Sequence, residues 1–452
     1  MVAKPAEWHV PTAAALDAAV FWTALVLLGL MPLAVPGFER SKSLAALLLS
    51  ASMMVCLALR AALSPEPLVR TWACLPAGLF ILLVVMQLVP LPVAVVGAIS
   101  PGTLAAKSAP ISGEGGQLRS VALSLFPAAT LQGLQRLLAA AAVFAGVANT
   151  CSDPARVRRL LSVVCSIGGL VAIMDLVQHL AGDTLAGVVA PAQGGRAQFM
   201  NLSLGATFAL AFVVLHEGFR TARFTFARFI EHLGSGLRPL WRLTGIGIIL
   251  GASVFMSFNR AGMLAMLLAA CLTVVMLIVG RGLSGRNWQI TVTALLAVAI
   301  VLYTGFASLR ERGRFQAPPA ADAGQLVREL TDSLRKYPLA GSGLGSHLAD
   351  PRGGPRSGAY GTAIRETGLA GLALLLAFAG LVWRELVRAV GTGRSSGRMA
   401  AFGIGFSIVA ATAQSLGDAE LLLPANMTLL AGLCGLLAGL ARAGGGASKG
   451  VA

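Results

Sequence analysis

Residues 72–93 read WACLPAGLFILLVVMQLVPLPV, a stretch without a single charged side chain. A helix needs about 20 predominantly apolar residues to cross the hydrocarbon core of a bilayer, so this stretch predicts a transmembrane helix. The same pattern recurs along the chain and predicts an all-α polytopic membrane protein with about twelve transmembrane helices. The predicted spans are residues 17–35, 43–63, 72–93, 130–150, 158–180, 199–217, 243–258, 261–280, 288–307, 361–383, 402–416 and 419–441.

The composition of the 452-residue chain agrees with this interpretation. Hydrophobic residues make up 56% of it, charged residues 12%, and the mean hydropathy is +0.79. Soluble domains carry about 25% charged residues. A soluble enzyme, a disordered chain and a fibrous protein are therefore excluded. The six cysteines have no CxxC spacing and lie in or beside apolar runs, so we expect packing residues rather than disulfides or metal ligands.

The basic residues predict the orientation. The formal net charge is +16, and with the N-terminus inside, nineteen Lys and Arg fall in cytoplasmic segments against six in the short opposite loops. Positive residues concentrate on the cytoplasmic side of membrane proteins. Both termini are therefore predicted to be cytoplasmic. The charge then serves topology and contact with membrane lipids, and nucleic acid is not an expected partner.

The predicted spans divide the chain into four parts. Residues 1–120 hold helices 1–3 and an outer loop, 121–307 hold helices 4–9, 308–360 form one large periplasmic loop, and 361–452 hold helices 10–12 and a cytoplasmic tail. Residues 94–129 are rich in Gly, Ser and Pro and are predicted to be loop.

The large loop is predicted to contain one short amphipathic helix. Asp322 can cap its start, and the helix must end before Pro338. Its apolar face would comprise Leu326, Leu330, Leu334 and Tyr337.

Charged side chains at the edges of spans are costly in a membrane and are candidates for function. Glu366 and Arg365 open span 10, and Asp418 lies in the turn between spans 11 and 12. Guanidinium groups bind phosphate through two parallel hydrogen bonds, so outward-facing arginines suit a phosphate-bearing lipid substrate. The alternative is that each is a snorkelling or salt-bridged helix end. The arginines concerned are Arg260, Arg365, Arg196 and Arg314.

Residues 337–347 read YPLAGSGLGSH and combine three closely spaced glycines with a histidine. The glycines at 341, 343 and 345 predict a tight irregular loop. A dinucleotide fingerprint is not expected, because no strand precedes the segment. His347 is a candidate catalytic group, with a merely solvated loop histidine as the alternative.

These motifs together resemble those of the O-antigen ligase and O-antigen polymerase superfamily. The segment KYPLAGSGLGS (336–346), followed by ETGLAG (366–371), is similar to the family's Pro-Leu-x-Gly-x-Gly-x-Gly, outer loop and Glu-x-Gly-x-x-Gly. The turn FNRAG (258–262) resembles the family's Ser-Arg-Gly/Ala turn. The resemblance covers roughly residues 120–435, and its exopolysaccharide-type motifs are LSLFPAAT (123–130) and QSLGD with LLPAN (414–426).

The chain departs from the family pattern at three polar signatures. Ser357 and Gly358 stand where the family often has His-Asn, Leu204 ends a reduced Asn-x-Asn-His, and Gln414 replaces a histidine. These departures leave open a non-catalytic role.

The resemblance implies transfer of a glycan from an undecaprenyl-pyrophosphate carrier at the periplasmic face of the bacterial inner membrane. The acceptor would be a glycan or the lipid A core, and the reaction would use no metal and no other cofactor. Arg260 and Arg365, with Arg196 and Arg314, would bind the pyrophosphate. Glu366 or His347 would be the base, and Asp418 would orient the site. The alternatives are a non-catalytic partner in a polysaccharide assembly complex and a lipid-linked glycan flippase or transporter.

Overall fold

The computed structural model describes residues 9–32, 39–64, 68–69, 71–108, 119–181, 196–221, 238–257, 259–279, 323–349, 358–392 and 395–448. Almost all of them are helical, because helices satisfy the backbone hydrogen bonds that a lipid environment cannot. The helices are α1 His9–Leu30, α2 Glu39–Leu63, α3 Cys74–Leu88, α4 Val93–Ile99, α5 Pro101–Ser108, α6 Pro127–Thr150, α7 Pro154–Ala181, α8 Arg196–Thr221, α9 Arg238–Met256, α10 Arg260–Val279, α11 Ala323–Lys336, α12 Ser346–Ala349, α13 Ala359–Thr392, α14 Ser395–Gly417 and α15 Pro424–Ser448, with a 3₁₀ turn at Glu420–Leu422.

Nine helices in the described residues are long and apolar enough to cross a membrane, and α3 and α9 are shorter apolar helices. Each of these eleven helices overlaps one of the predicted spans, although α3 ends at Leu88, five residues before the end of the predicted span 72–93. The remaining predicted span, 288–307, lies outside the described residues. The prediction of an all-α multi-pass membrane protein is therefore confirmed, while the total of twelve helices stays a prediction.

The helix ends form two groups, which we call the loop end and the tail end. The loop end carries the glycine-rich segment and the starts of α8, α10, α13 and α15. The tail end carries the starts of α1 and α7 and the ends of α2 and α6, linked by an Arg60–Asp17 ion pair and a hydrogen bond from Val69 N to Asn149 Oδ1. Placing the loop end in the periplasm remains a prediction.

The centre of the bundle is formed by α8 and α14, the two most buried spans. Small residues let these helices approach closely, as is common in membranes. A Cβ atom at Gly403 would overlap the backbone of Ala209, and one at Gly205 would overlap Ser407. The Ser407 hydroxyl donates to Leu202 O across the same contact at 2.9 Å.

The prediction of loop for residues 94–129 is wrong in its first half. Helices α4 and α5 occupy most of 93–108, and the three-residue strands β1 Pro90–Pro92 and β2 Ser120–Ala122 pair antiparallel. Pro101 starts α5, where a proline ring already has helical φ. The buried Thr103 hydroxyl donates to Leu123 O at 3.1 Å. Side-chain hydrogen bonds therefore stabilise short helices in a segment whose composition alone predicts a loop.

The predicted helix in the large loop is confirmed as α11, which ends just before Pro338. It contacts α5 and α13 at the loop end. The expected capping residue, Asp322, lies outside the described residues.

Cysteine labelling tests the orientation. Arg335→Cys on α11 and Asp153→Cys at the tail end are both at exposed positions. In a variant without native cysteines, an impermeant maleimide applied to intact spheroplasts should label position 335 and spare position 153, because positive residues cluster at the tail end. Permeabilised cells should show labelling at both. The reverse pattern would invert the topology.

Candidate functional site

Helix α13 is broken two residues beyond Glu366. Gly368 has φ 65° and ψ −165°, which is not helical. The N–H groups of Leu369 and Ala370 would normally bond to carbonyls four residues earlier. Instead they donate to Pro338 O at 3.1 Å and Leu339 O at 3.3 Å. Another part of the chain therefore supplies the hydrogen-bond acceptors that the break removes.

That part is the segment 338–346, which we call the glycine segment. Its Ser342 N donates to Arg365 O at 2.9 Å, and its Gly343 N donates to Glu366 O at 3.0 Å. The glycine segment thus satisfies both the carbonyls and the N–H groups that the break exposes. Irregular backbone at membrane depth is tolerated when protein buries it in this way.

The three glycines are required by this close contact. Gly341, Gly343 and Gly345 have φ of 72°, 108° and 81°, a region that other residues rarely adopt. A Cβ at Gly341 would overlap the carbonyl carbon of Glu366. The sequence prediction of a tight irregular loop is confirmed.

Gln87 of α3 fastens the glycine segment to α13. Its Nε2 donates to Ala340 O at 2.6 Å and to Glu366 O at 2.9 Å, and its Oε1 accepts from Leu344 N at 3.1 Å. The side chain is completely buried. One carboxamide therefore links α3, the glycine segment and α13 through hydrogen bonds beside Glu366.

The result is a close pair between His347 and Glu366. His347 Nδ1 lies 2.6 Å from Glu366 Oε1, and His347 N donates to the same oxygen at 3.0 Å. The Glu366 side chain is 1% exposed, whereas that of His347 is 23% exposed. A carboxylate that accepts from Nδ1–H leaves Nε2 as the basic nitrogen of the ring. The arrangement can orient an imidazole for proton transfer at the loop end.

The glycine segment itself is poorly suited to cradle a phosphate. Such a cradle needs successive N–H groups that point at the anion. Here the N–H groups of Ser342, Gly343, Leu344 and Ser346 all donate within the protein. Phosphate binding at this site would fall to side chains.

A second polar cluster surrounds the turn after α14. Asn259 Nδ2 donates to Asp418 Oδ2 at 2.9 Å and to Glu420 Oε1 at 3.0 Å. Gln414 Nε2 donates to the same two carboxylates at 3.2 and 3.0 Å. Burial raises the pKa of the Asp418 carboxyl, and the hydrogen bonds from Asn259, Gln414 and the Glu420 backbone oppose that rise.

This cluster joins the starts of several helices. Glu420 Oε2 accepts from Gln198 N in the first turn of α8 at 3.2 Å, and Asp418 O accepts from Ala359 N at the start of α13 at 2.9 Å. Helix starts leave N–H groups unpaired, and oxygen acceptors stabilise them. Ala359 precedes Glu366 by seven residues, or about 10 Å at helical rise. Asp418, bonded to Ala359, therefore lies at the opposite end of the first α13 segment from Glu366.

The candidate arginines are spread over the loop end. Arg260 is exposed at the first position of α10, next to Asn259, and Arg365 is half-buried beside Glu366. Arg196 Nη1 contacts the buried Asp175 at 2.5 Å, as a salt-bridged helix end would. Arg314 lies outside the described residues.

Sequence reasoning missed Gln87, Asn259 and the role of Glu420. Gln87 carried a usable signal, because a polar side chain inside an uncharged apolar run is costly unless it has partners. Its partners are more than 250 positions away in the chain, so only the folded structure identifies them.

Comparisons with known proteins add no family. No protein-family model matches the chain, and no curated protein matches it.

The buried hydrogen bonds of Gln87 predict a large stability effect. Gln87→Leu would leave Leu344 N and Ala340 O without this partner, while Glu366 O keeps its hydrogen bond from Gly343 N. Each unsatisfied group costs about 1–3 kcal/mol. We expect a clearly lower unfolding temperature in detergent. Gln135→Leu, whose side chain makes one long hydrogen bond of 3.4 Å to Ser43, is the control and should change little. Equal changes in the unfolding temperature of the two variants would show that the Gln87 hydrogen bonds do not hold the glycine segment against α13.

Proposed function

We propose that this protein is an integral membrane glycan ligase or polymerase, which transfers a glycan from an undecaprenyl-pyrophosphate carrier at the periplasmic face. The observation that carries the proposal is the His347–Glu366 pair, fixed at the loop end by the glycine segment. The motif order that resembles the O-antigen ligase and polymerase superfamily supplies the substrate class.

The pair suits deprotonation of an acceptor hydroxyl. His347 Nε2 would take the hydroxyl proton as the acceptor oxygen bonds to the anomeric carbon of the donor sugar. The bond from that carbon to the pyrophosphate oxygen breaks, and the electron pair leaves with the lipid pyrophosphate. Glu366 would stabilise the imidazolium that forms. General-base assistance of this kind typically contributes about 10²–10⁴-fold.

Arginines would stabilise the departing pyrophosphate. Arg365 adjoins Glu366, and Arg260 is linked to the start of α13 through Asn259 and Asp418. Fixed positive groups aimed at developing charge are often the largest catalytic contribution. Asp418 acts here as an orienting group that links the two helices.

The direct test is glycan transfer by the purified protein in liposomes that contain a lipid-linked donor and a glycan or lipid A core acceptor. Glycan transfer by the unaltered protein, and its loss in the Glu366→Gln variant, would support the proposal. Absence of turnover with every native donor and acceptor pair, together with specific binding to a homologous polymerase, would favour a non-catalytic partner in polysaccharide assembly.

A flippase is the second candidate, and the broken helix α13 is the feature that favours it. Discontinuous helices often form the substrate sites of transporters. A flippase would move fluorescent lipid-linked glycan between leaflets without releasing free carrier pyrophosphate. An assay that follows both products in one liposome preparation separates the two functions.

The arginines give a further prediction. Arg260→Ala and Arg365→Ala should each slow transfer by about a hundredfold while the folded protein persists, because each removes a charge that stabilises the leaving group. Arg→Lys should restore only part of the rate, since an ammonium lacks the planar two-point contact. Transfer rates near those of the unaltered protein in both alanine variants would remove these residues from the site.

A further inference from the structure

Two arginines at the tail end rest on aromatic rings of α1. Arg156 and Arg159 lie three positions apart on α7, and therefore on one helix face. The Arg156 guanidinium carbon is 6.0 Å from the centroid of the Phe21 ring, and that of Arg159 is 5.7 Å from the Trp22 ring. Arg156 Nη1 also donates to Thr150 O at 3.1 Å, which fixes its position.

Within the described part of the chain, neither Arg156 nor Arg159 has a carboxylate partner. Their neighbours differ: Arg158 pairs with Glu217, and Arg60 pairs with Asp17. A guanidinium stacked on a ring keeps N–H groups at its edge for another acceptor.

The surface next to these arginines is apolar and exposed. Trp22 is 55% exposed, and Val26, one turn further along α1, is 52% exposed. On α7, the exposed Leu170 lies 11 positions after Arg159 on the same helix face, about 16 Å away at helical rise, with the exposed Ser162 and Ser166 between them. Apolar side chains of α1 and α7 are therefore exposed between the two arginines and the middle of the membrane.

We propose that Arg156, Arg159 and Trp22 form a binding site for the headgroup of an anionic phospholipid. The phosphodiester would accept hydrogen bonds from the two guanidinium groups. Trp22 would lie at headgroup level, where tryptophan is enriched, and an acyl chain would cover Val26 and Leu170. Basic sites between transmembrane helices are known to bind such headgroups.

The exposed apolar side chains of Trp22, Val26 and Leu170 are what favour a lipid over a soluble phosphate. A soluble anion would gain nothing from them, whereas a phospholipid contacts both these side chains and the charges. The site is independent of the proposed glycan transfer.

Native mass spectrometry of the purified full-length protein tests the site. The protein is titrated with phosphatidylglycerol and with phosphatidylcholine of matched acyl chains. The unaltered protein should retain phosphatidylglycerol preferentially. The double variant R156Q/R159Q should bind it at least tenfold more weakly, with phosphatidylcholine binding unchanged.

The control is R384Q/R388Q, which removes two exposed charges from the part of α13 that lies toward the tail end. It should keep phosphatidylglycerol binding. Trp22→Leu should weaken binding without any change of charge, and the single variant R159Q serves if the double variant does not fold. The proposal would be overturned if both double variants lost phosphatidylglycerol binding equally, or if the unaltered protein bound the two lipids equally. It would also be overturned if free glycerol phosphate displaced phosphatidylglycerol as well as the lipid itself does.

Discussion

Replacing His347 by alanine should slow glycan transfer by about 10²–10⁴-fold, the usual contribution of a general base. From the sequence, Glu366 and His347 are alternative bases, with a merely solvated loop histidine as the other interpretation of His347. The geometry separates their roles. Glu366 is buried and accepts two hydrogen bonds from His347, so it is placed to orient the ring rather than to meet an acceptor itself.

Glu366→Gln should therefore cost nearly as much as His347→Ala. A carboxamide can still accept from Nδ1–H, but it cannot stabilise the imidazolium by charge. The measurement is the transfer rate in liposomes at equal amounts of folded protein. The matched control is Glu217→Gln, which removes a carboxylate from an exposed tail-end ion pair and should leave the rate unchanged. A fast His347→Ala variant would show that the pair is structural.

The transmembrane framework could be predicted from the sequence because its cause is local. A run such as residues 158–180, which lies wholly within α7, must be helical wherever it crosses a bilayer, and no distant contact is needed to say so. The glycine-rich loop and the end of α11 before Pro338 were predictable for the same reason, since φ preferences act on single residues.

The organisation of the candidate site could not be predicted in this way. The segment ETGLAG at 366–371 reads as ordinary helix, and its break at Gly368 depends on carbonyls supplied by Pro338 and Leu339. Gln87 is visible in the sequence as a polar residue in an apolar run, but its bonds to Ala340 and Leu344 span most of the chain. Pairings at such separation follow from packing, which local patterns do not encode.

Replacing Gly341 by alanine should be the most damaging small substitution in the site. The residue has φ 72°, and an added Cβ would overlap the carbonyl carbon of Glu366. A strained backbone costs about 1–3 kcal/mol, and overpacking costs about as much again. Backbone atoms cannot yield as a flexible side chain would, so the glycine segment must move away from α13.

We therefore expect Gly341→Ala to lower the free energy of unfolding by about 3 kcal/mol or more. Because His347 directly follows the moved segment, transfer should fall even in the fraction that stays folded. Gly380→Ala on α13 is the control, since nothing lies within 4 Å of its added Cβ. That change should be neutral or stabilising by up to about 1 kcal/mol, because alanine favours helix more than glycine does. Chemical unfolding in detergent measures both, and equal stabilities would show that the glycine segment does not pack against Glu366.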